Sequence, residues 1–267
     1  MEGFGIEAGS WLRPEAATVF GEAAAAYAEH RPGYPQAAVR WALGDVCRPG
    51  VRVLDLAAGT GKLTEALTLF GADVVAVDPD PAMLAELRRR FPGATALRGT
   101  AERIPLPDAG VDVVLVGQAF HWFDRETVMD EIRRVLGPAG QLAALWNLWD
   151  DGQAWVRGLA EATGNEITVS AWRPQAVLPG HPGFLPPERG DFAHEQRRTT
   201  ESMMGTVATY SYVIGLPDDQ RAAYERRVRA YLRSCAVTRG GSFSLPHVTT
   251  VVRTAVSTPR PAGRPGA

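Results

Sequence analysis

The run Val51-Arg52-Val53-Leu54-Asp55-Leu56-Ala57-Ala58-Gly59-Thr60-Gly61-Lys62-Leu63-Thr64 constrains this chain more than any other stretch. It is apolar, meets an acid, passes through small residues and resumes with helix formers, the pattern of a strand, a tight turn and a helix start. An open α/β sheet holds its cofactor at such a unit, beyond the carboxyl ends of the strands. A second strand, Asp73 to Val77, is followed by Asp78. It lies about 20 residues beyond the glycines, where these folds place an acid that accepts from ribose hydroxyls. Together the two acids predict a small ligand that contains a nucleoside.

Spacing and charge narrow the ligand. Gly59-Thr60-Gly61-Lys62-Leu63-Thr64 puts Thr64 where a dinucleotide fingerprint has its third glycine, and Asp55 just upstream repels a pyrophosphate. An aspartate there suits cationic centres, because opposite charges a few ångström apart in a partly dry cleft attract by about several kcal/mol before desolvation is subtracted. A nucleoside carrying a sulfonium and an ammonium meets that description.

A chain of 267 residues with 45% hydrophobic and 22% charged content can bury one large α/β core without staples. The two cysteines, Cys47 and Cys235, make no framework and suit a reducing compartment. Met1 to Glu7 lacks the basic start and apolar stretch of a signal peptide, and no uncharged apolar run reaches spanning length, so a cytoplasmic protein is expected. A net charge of -2 leaves no electrostatic footprint for nucleic acid. Arg88-Arg89-Arg90 closes a helix, and Arg226, Arg227, Arg229 and Arg233 follow Asp218 and Asp219 on another, as the helix dipole favours. No metal-ligand cluster and no internal repeat appear.

Along the chain, Thr18–His30 reads as an alanine-rich helix, RPGYP (31–35) breaks it, and Gln36–Leu43 reads as a second helix; together they predict a cap over the cleft within 1–45. From 46 to 150, strands at 51–56, 73–77, 94–98, 111–116 and 141–146 alternate with helices at 62–70, 81–91 and 125–136. Their unbroken Val, Leu and Ala runs predict a largely parallel, Rossmann-like sheet covered on both faces. The segment 173–190 holds five prolines and three glycines and is expected to be a loop, a lid-like insertion within 151–205. A strand at 192–198, helices at 200–214 and 217–234 and a strand at 245–256 complete the domain through 206–258. The tail 259–267 is expected to be disordered.

Four blocks in order, VLDLAAGTGKLT, VVAVDPDPAML at 74–84, GTAERIPLPDAGVDVVLVGQAFHWFD at 99–124 and RRVLGPAGQLAALWN at 133–147, resemble the class I S-adenosylmethionine-dependent methyltransferases. With the RPGYP and QAFHWFD segments, the chain is most similar to the small-molecule, methyltransferase domain 11-like type. The resemblance implies a seven-stranded sheet whose last strand runs antiparallel, and S-adenosylmethionine as cofactor, leaving S-adenosylhomocysteine. The first glycine of the usual D-x-G-x-G-x-G is Ala57 here, which is tolerable if its φ is below zero.

The cofactor residues expected on these grounds are the turn Ala57, Gly59, Thr60 and Gly61, with Asp55 orienting the ammonium and Asp78 and Pro79 at the ribose. Thr100 and Ala101 stand where the family reads the adenine edge, with Thr100 in place of the usual acid, and Met83 is expected under the ring. Gln118 ends strand four. On the cap, Arg31 suits a carboxylate of cofactor or acceptor and Tyr34 closes over the methyl group. Asp80, before Pro81, reads as the cap of the next helix.

His121, between aromatics at a strand end, is the candidate catalytic base or, alternatively, a structural histidine. Trp122 and Phe123 read as wall, and His181 and His194 as polar surface. Trp122, Trp146, Trp149 and Trp155 hint at an aromatic or apolar acceptor. The function expected is methyl transfer to a small organic molecule of secondary metabolism. Carboxylate O-methylation of the trans-aconitate type, an NAD-dependent oxidoreductase and a non-catalytic cofactor-binding protein stay open as alternatives. The acceptor atom and the oligomeric state are not legible.

Overall fold

The computed structural model describes residues 28–165, 167–172 and 178–257. Most of the expected first helix, part of the 173–190 loop and the tail lie outside the described residues. Helix α1 (Gln36–Leu43) leads into β1 (Arg52–Leu56), α2 (Lys62–Thr68), β2 (Asp73–Asp78), α3 (Pro81–Arg90), β3 (Thr95–Arg98) and β4 (Val111–Gly117). Then follow α4 (Arg125–Val135), β5 (Leu136–Trp149), α5 (Ala154–Thr163), β6 (Glu188–Thr199), α6 (Thr200–Ala208), α7 (Ser211–Ile214), α8 (Asp218–Ser234) and β7 (Ser242–Ala255).

The strands form one seven-stranded sheet in the order β3-β2-β1-β4-β5-β7-β6. β1 to β5 are parallel, and β7 lies antiparallel between β5 and β6. This is the mostly parallel, helix-covered α/β sheet expected from the sequence. Alternation along the strands sends side chains to two cores. Val53, Val113 and Leu115 pack with Ala38, Val39 and Leu43 of α1 and Leu63 and Leu67 of α2 on one face. Leu54, Leu56, Val114 and Val116 pack with Val128, Met129 and Ile132 of α4 on the other. A third cluster joins α5, α6 and α8 through Leu159, Met203 and Val228 to Leu245 of β7. With both faces covered, the inner strands β1, β2 and β4 are largely apolar, which is why they are readable, whereas the edge strand β6 is polar and mostly exposed.

Four expectations are corrected. Helix α1 is a layer of the fold, packed on the sheet by Ala38, Val39, Ala42 and Leu43, so of the described residues only the preceding segment 28–35 overlies the carboxyl edge. β5 extends past Trp146 to Trp149 because β7 supplies a second ladder, pairing Asn147 with Thr249 and Trp149 with His247. The helix expected over 200–214 is broken at Thr209 and Tyr210, where Tyr210 turns extended at ψ 133° and the Thr209 carbonyl accepts from Arg31 instead of continuing the helix.

The described part of the proline-rich loop does not close over the cleft. Phe184 bridges Val256, and the Leu185 amide donates to the Ala255 carbonyl. Ala255 pairs with Gln141, at the entry end of β5 and therefore at the amino edge of the parallel strands. Phe184 is buried there against the sheet core. The buried Phe184 ring, the bridge to Val256 and the Leu185 backbone bond hold the loop at the edge away from the turn after β1.

Candidate active site

The turn after β1 is built from left-handed residues. Ala57 has φ 56°, Gly59 54° and Gly61 86°. At Gly61 a β-carbon would come within 2.8 Å of the Phe91 ring, so a side chain is excluded there by packing. At Gly59 a β-carbon would meet nothing within 4 Å, because that face of the turn opens on a crevice. Ala57 takes the left-handed conformation that the sequence reading required it to avoid. An L-residue there costs roughly 1–2 kcal/mol, the kind of strain that persists at ligand sites. The turn amides are fixed from the next strand: Asp78 Oδ2 accepts from the Gly59 amide at 2.8 Å, and the Ala58 amide donates to the Val77 carbonyl.

Asp55 points to the α2 face of the sheet and is 1% exposed. Its carboxyl accepts from the Thr64 hydroxyl at 2.6 Å. Burial, with a smaller push from Asp78, raises its pKa from 3.8 to about 7. No basic side chain pairs with it among the described residues. Thr64, where a dinucleotide turn has glycine, therefore serves as the donor that orients Asp55, a role the sequence reading did not assign. Asp78 is buried too, and its pKa is raised by the same desolvation although the Asp80 and Gly59 amides hold it. Asp80 caps α3 through the Ala82 and Met83 amides, as expected.

The crevice, about 490 Å³ counting its opening to solvent, brings together the expected Arg31, Tyr34, Asp55, Ala57, Gly59 and Gln118. It adds Lys62 and Leu63, which the sequence reading left on the helix without a role. Tyr34 lies across Gly117, where a β-carbon would strike its hydroxyl at 2.5 Å. Gln118 is left-handed at φ 60° and donates from Nε2 to the Asn147 carbonyl at 3.2 Å. Asn147 in turn donates to the Gly33 carbonyl at 3.0 Å, tying the segment over the crevice to β5. The other expected cofactor residues fall beside it. Thr60 is buried with an unpartnered hydroxyl, Met83 and Ala101 are buried, Thr100 is exposed in a bridge to Arg103, and the Pro79 carbonyl accepts from Arg98.

His121 occupies a short 3-10 turn (Phe120–Trp122), its ring 4.9 Å from that of Trp122. It lines neither cavity, and burial with the charge of Arg125 lowers its pKa to about 4. Phe123 packs tilted against Phe120, its ring 5.5 Å away, beside the core. Of the tryptophans, Trp146 packs against Trp172 and Trp155 against Phe243, while Trp149 lines a second cavity. His194 stacks on His247 at 5.4 Å and meets the Thr249 hydroxyl, so it belongs to a polar row of the β6–β7 ladder and is half-buried on the edge strand. His181 pairs with the exposed Asp130.

The second cavity, about 410 Å³ counting open space, adjoins the crevice and shares Arg31, Pro32 and Gln118 with it. Its far wall comes from Trp149, Arg198, Tyr210 and His247. The segment 28–35 is pinned between the two. Arg31 donates from Nε and a terminal nitrogen to Thr209 and lies 4.8 Å from the Tyr210 ring, and the His30 carbonyl accepts from Arg198 and Thr206.

Comparisons with known proteins bear on the family of the chain. A family profile described as methyltransferase domain matches residues 54–144. An uncharacterized methyltransferase of Mycobacterium tuberculosis is 43% identical over 235 residues, 88% of this chain and 94% of the relative. An uncharacterized methyltransferase-like protein of Schizosaccharomyces pombe is 33% identical over 201 residues, 73% of this chain and 78% of the relative. A solved structure from Anaeromyxobacter dehalogenans, described as a type II methyltransferase, is 27% identical and superposes with a TM-score of 0.59, covering 85% of this chain and 98% of that one.

The strain at the turn is testable. Ala57→Gly is expected to stabilise the protein by about 1 kcal/mol, the relief of a left-handed alanine less the extra chain entropy of glycine. Urea unfolding reads the difference, and a destabilised variant would contradict the conformation assigned to Ala57.

Proposed function

The chain belongs to the class I S-adenosylmethionine-dependent methyltransferases, and from that premise we propose that it binds S-adenosylmethionine in the first crevice and methylates a small organic acceptor. The observation that carries the reading is Asp55, a buried acid at the crevice whose side-chain partner among the described residues is the neutral hydroxyl of Thr64. An ionised carboxyl out of water wants a cation, and one supplied by a ligand relieves the burial. The open face of Gly59 leaves room for that ligand to lie against the turn. The fit is therefore good for the cofactor, and poor for a pyrophosphate beside two buried acids.

In this reading Asp55 holds the ammonium, Asp78 accepts from the ribose hydroxyls with the lone pairs left after Gly59 and Asp80, and Arg31 takes a carboxylate. Pro79, Met83, Thr100 and Ala101 are proposed around the adenosine end. Bound there, the cofactor supplies a methyl carbon whose bond to sulfur breaks, the electron pair going to sulfur, as a lone pair of the acceptor forms the new bond. The protein's part is positioning and exclusion of water. Holding the reactants about 3 to 3.5 Å apart in a dry site is worth up to roughly 7 to 11 kcal/mol. Arg31, Pro32 and Gln118, which line both cavities, form the partition across which the two ligands meet.

His121 lines neither cavity, so its role as proton acceptor is proposed for an acceptor that extends past Gln118 to the short turn after β4; its lowered pKa keeps it neutral, as a base must be, though weakly basic. The small second cavity supports a small acceptor, and the two free thiols support a reducing, cytoplasmic setting. We place the reaction in the biosynthesis of a secondary metabolite. Among the described residues no helix is long and apolar enough to cross a membrane.

Three outcomes are expected. Because Asp55 titrates near 7 in the ligand-free protein, above its ordinary 3.8, its contribution to stability is fully present below the ordinary value and is lost as pH rises through 7. A cationic ligand reverses that preference. Affinity for S-adenosylhomocysteine, through its ammonium, therefore falls by about tenfold per pH unit below 7 and binding at pH 6 releases a proton. Calorimetry in two buffers of different ionisation heat reads this, and proton-free, pH-independent binding contradicts it. Asp78→Ala is expected to weaken the same ligand by about 1 to 3 kcal/mol; NADH binding in place of S-adenosylhomocysteine would instead identify an oxidoreductase. Once a labelled-methyl screen of metabolite extracts has identified an acceptor, His121→Ala should lower kcat by about 10²-fold, and an effect on KM alone would make it a binding residue.

A further inference from the structure

Arg198 is a buried cation that the cofactor reading does not use. It stands next to last on β6 and is 6% exposed. One terminal nitrogen donates to the His30 carbonyl at 2.7 Å, and its buried Nε has no hydrogen-bond partner. Among the described residues no carboxylate pairs with it, and Arg31 is near enough to repel it. A guanidinium taken out of water without a counter-charge is costly, and the protein bears that cost on the wall of a cavity that opens to the methyl-transfer crevice.

The surrounding groups define what is missing. Arg31 brings a second positive charge to the same cavity, and no Asp or Glu lines it among the described residues. His247 does not add a charge. Its Nδ1 lies 2.9 Å from the Leu245 carbonyl, which only accepts, so Nδ1 carries the proton and the buried ring stays neutral. Trp149 and Tyr210 supply flat apolar surface beside the guanidinium.

We propose that this second cavity is the acceptor subsite and that it selects organic acids, with Arg198 anchoring a carboxylate of the acceptor. The proposal rests on the methyl-transfer reading and adds to it the charge of the acceptor. A carboxylate accepts from the part of the guanidinium that lines the cavity and supplies the counter-charge that Arg198 lacks. A phosphate dianion would call for more donors, and on this side the Thr206 hydroxyl already donates to the His30 carbonyl while Nε and one terminal nitrogen of Arg31 already donate to Thr209.

The test uses the full-length protein saturated with S-adenosylhomocysteine and a matched panel: benzoate, succinate and citrate, their uncharged amides, and phenyl phosphate. Binding is read by calorimetry and by tryptophan fluorescence. At least one carboxylate is expected to bind at least tenfold more tightly than its amide. Arg198→Gln is expected to weaken that carboxylate by about 30- to 100-fold, and Arg198→Lys by less than Arg198→Gln. Both variants should keep affinity for S-adenosylhomocysteine within about twofold, which also reports that they fold. Amides that bind as well as acids, phenyl phosphate displacing the carboxylates, or Arg198→Gln behaving as wild type would overturn the proposal. If Arg198→Gln does not fold, the acid-to-amide ratio and Arg198→Lys still decide. Failure of the wild type to bind S-adenosylhomocysteine sinks the methyl-transfer reading, whereas normal binding of it with no carboxylate bound sinks only this inference.

Discussion

Asp78 reaches back to the Gly59 amide at 2.8 Å, and that one bond sets the geometry on which the crevice depends. It locks a turn whose residues are left-handed to the strand next door, so the open face of the turn stays open in the absence of anything bound. Asp55, one strand over, has the Thr64 hydroxyl as its side-chain partner among the described residues. Two acids are thereby kept nearly dry at the ends of neighbouring strands, each with a raised pKa. Such an arrangement is tolerable in a folded protein when other groups hold it, and here the Thr64 hydroxyl and two backbone amides do so.

Much of this was legible because each level of the sequence pointed the same way. Val51–Leu56, Asp73–Val77 and Val111–Val116 are apolar on both faces, and a strand with helices on either side needs to be. Asp80 before Pro81 announces a helix start, and the structure has the cap bonds there. Asp55, Gly59 and Gln118 could be placed at a strand end because in this architecture chain order and position at the carboxyl edge are linked. Placement of the glycine turn followed from residue size alone.

What was not legible depends on contacts between segments far apart in the chain. The break at Thr209 comes from Arg31, nearly two hundred positions upstream, and no local propensity encodes it. The length of β5 follows from β7 arriving on its free side. The loop at 178–187 has the composition of a lid, but Phe184 and Leu185 dock at the opposite edge, and composition carries no address. Arg198 reads as one more charge in a polar strand until the fold buries it. Ala57 reads as a harmless methyl until the turn demands a left-handed residue.

The two cavities draw their walls from different parts of the chain. Asp55, Gly59, Lys62 and Gly117, all before β5, line the first. Asn165, Arg198, Tyr210 and His247, all after it, line the far side of the second, and only Arg31, Pro32 and Gln118 belong to both. Heritable change can thus remodel the later half without disturbing the earlier one. Descendants of this architecture are free to diversify the molecules they act on while inheriting an unaltered grip on a common reagent, and the shared strip is where such drift is least affordable.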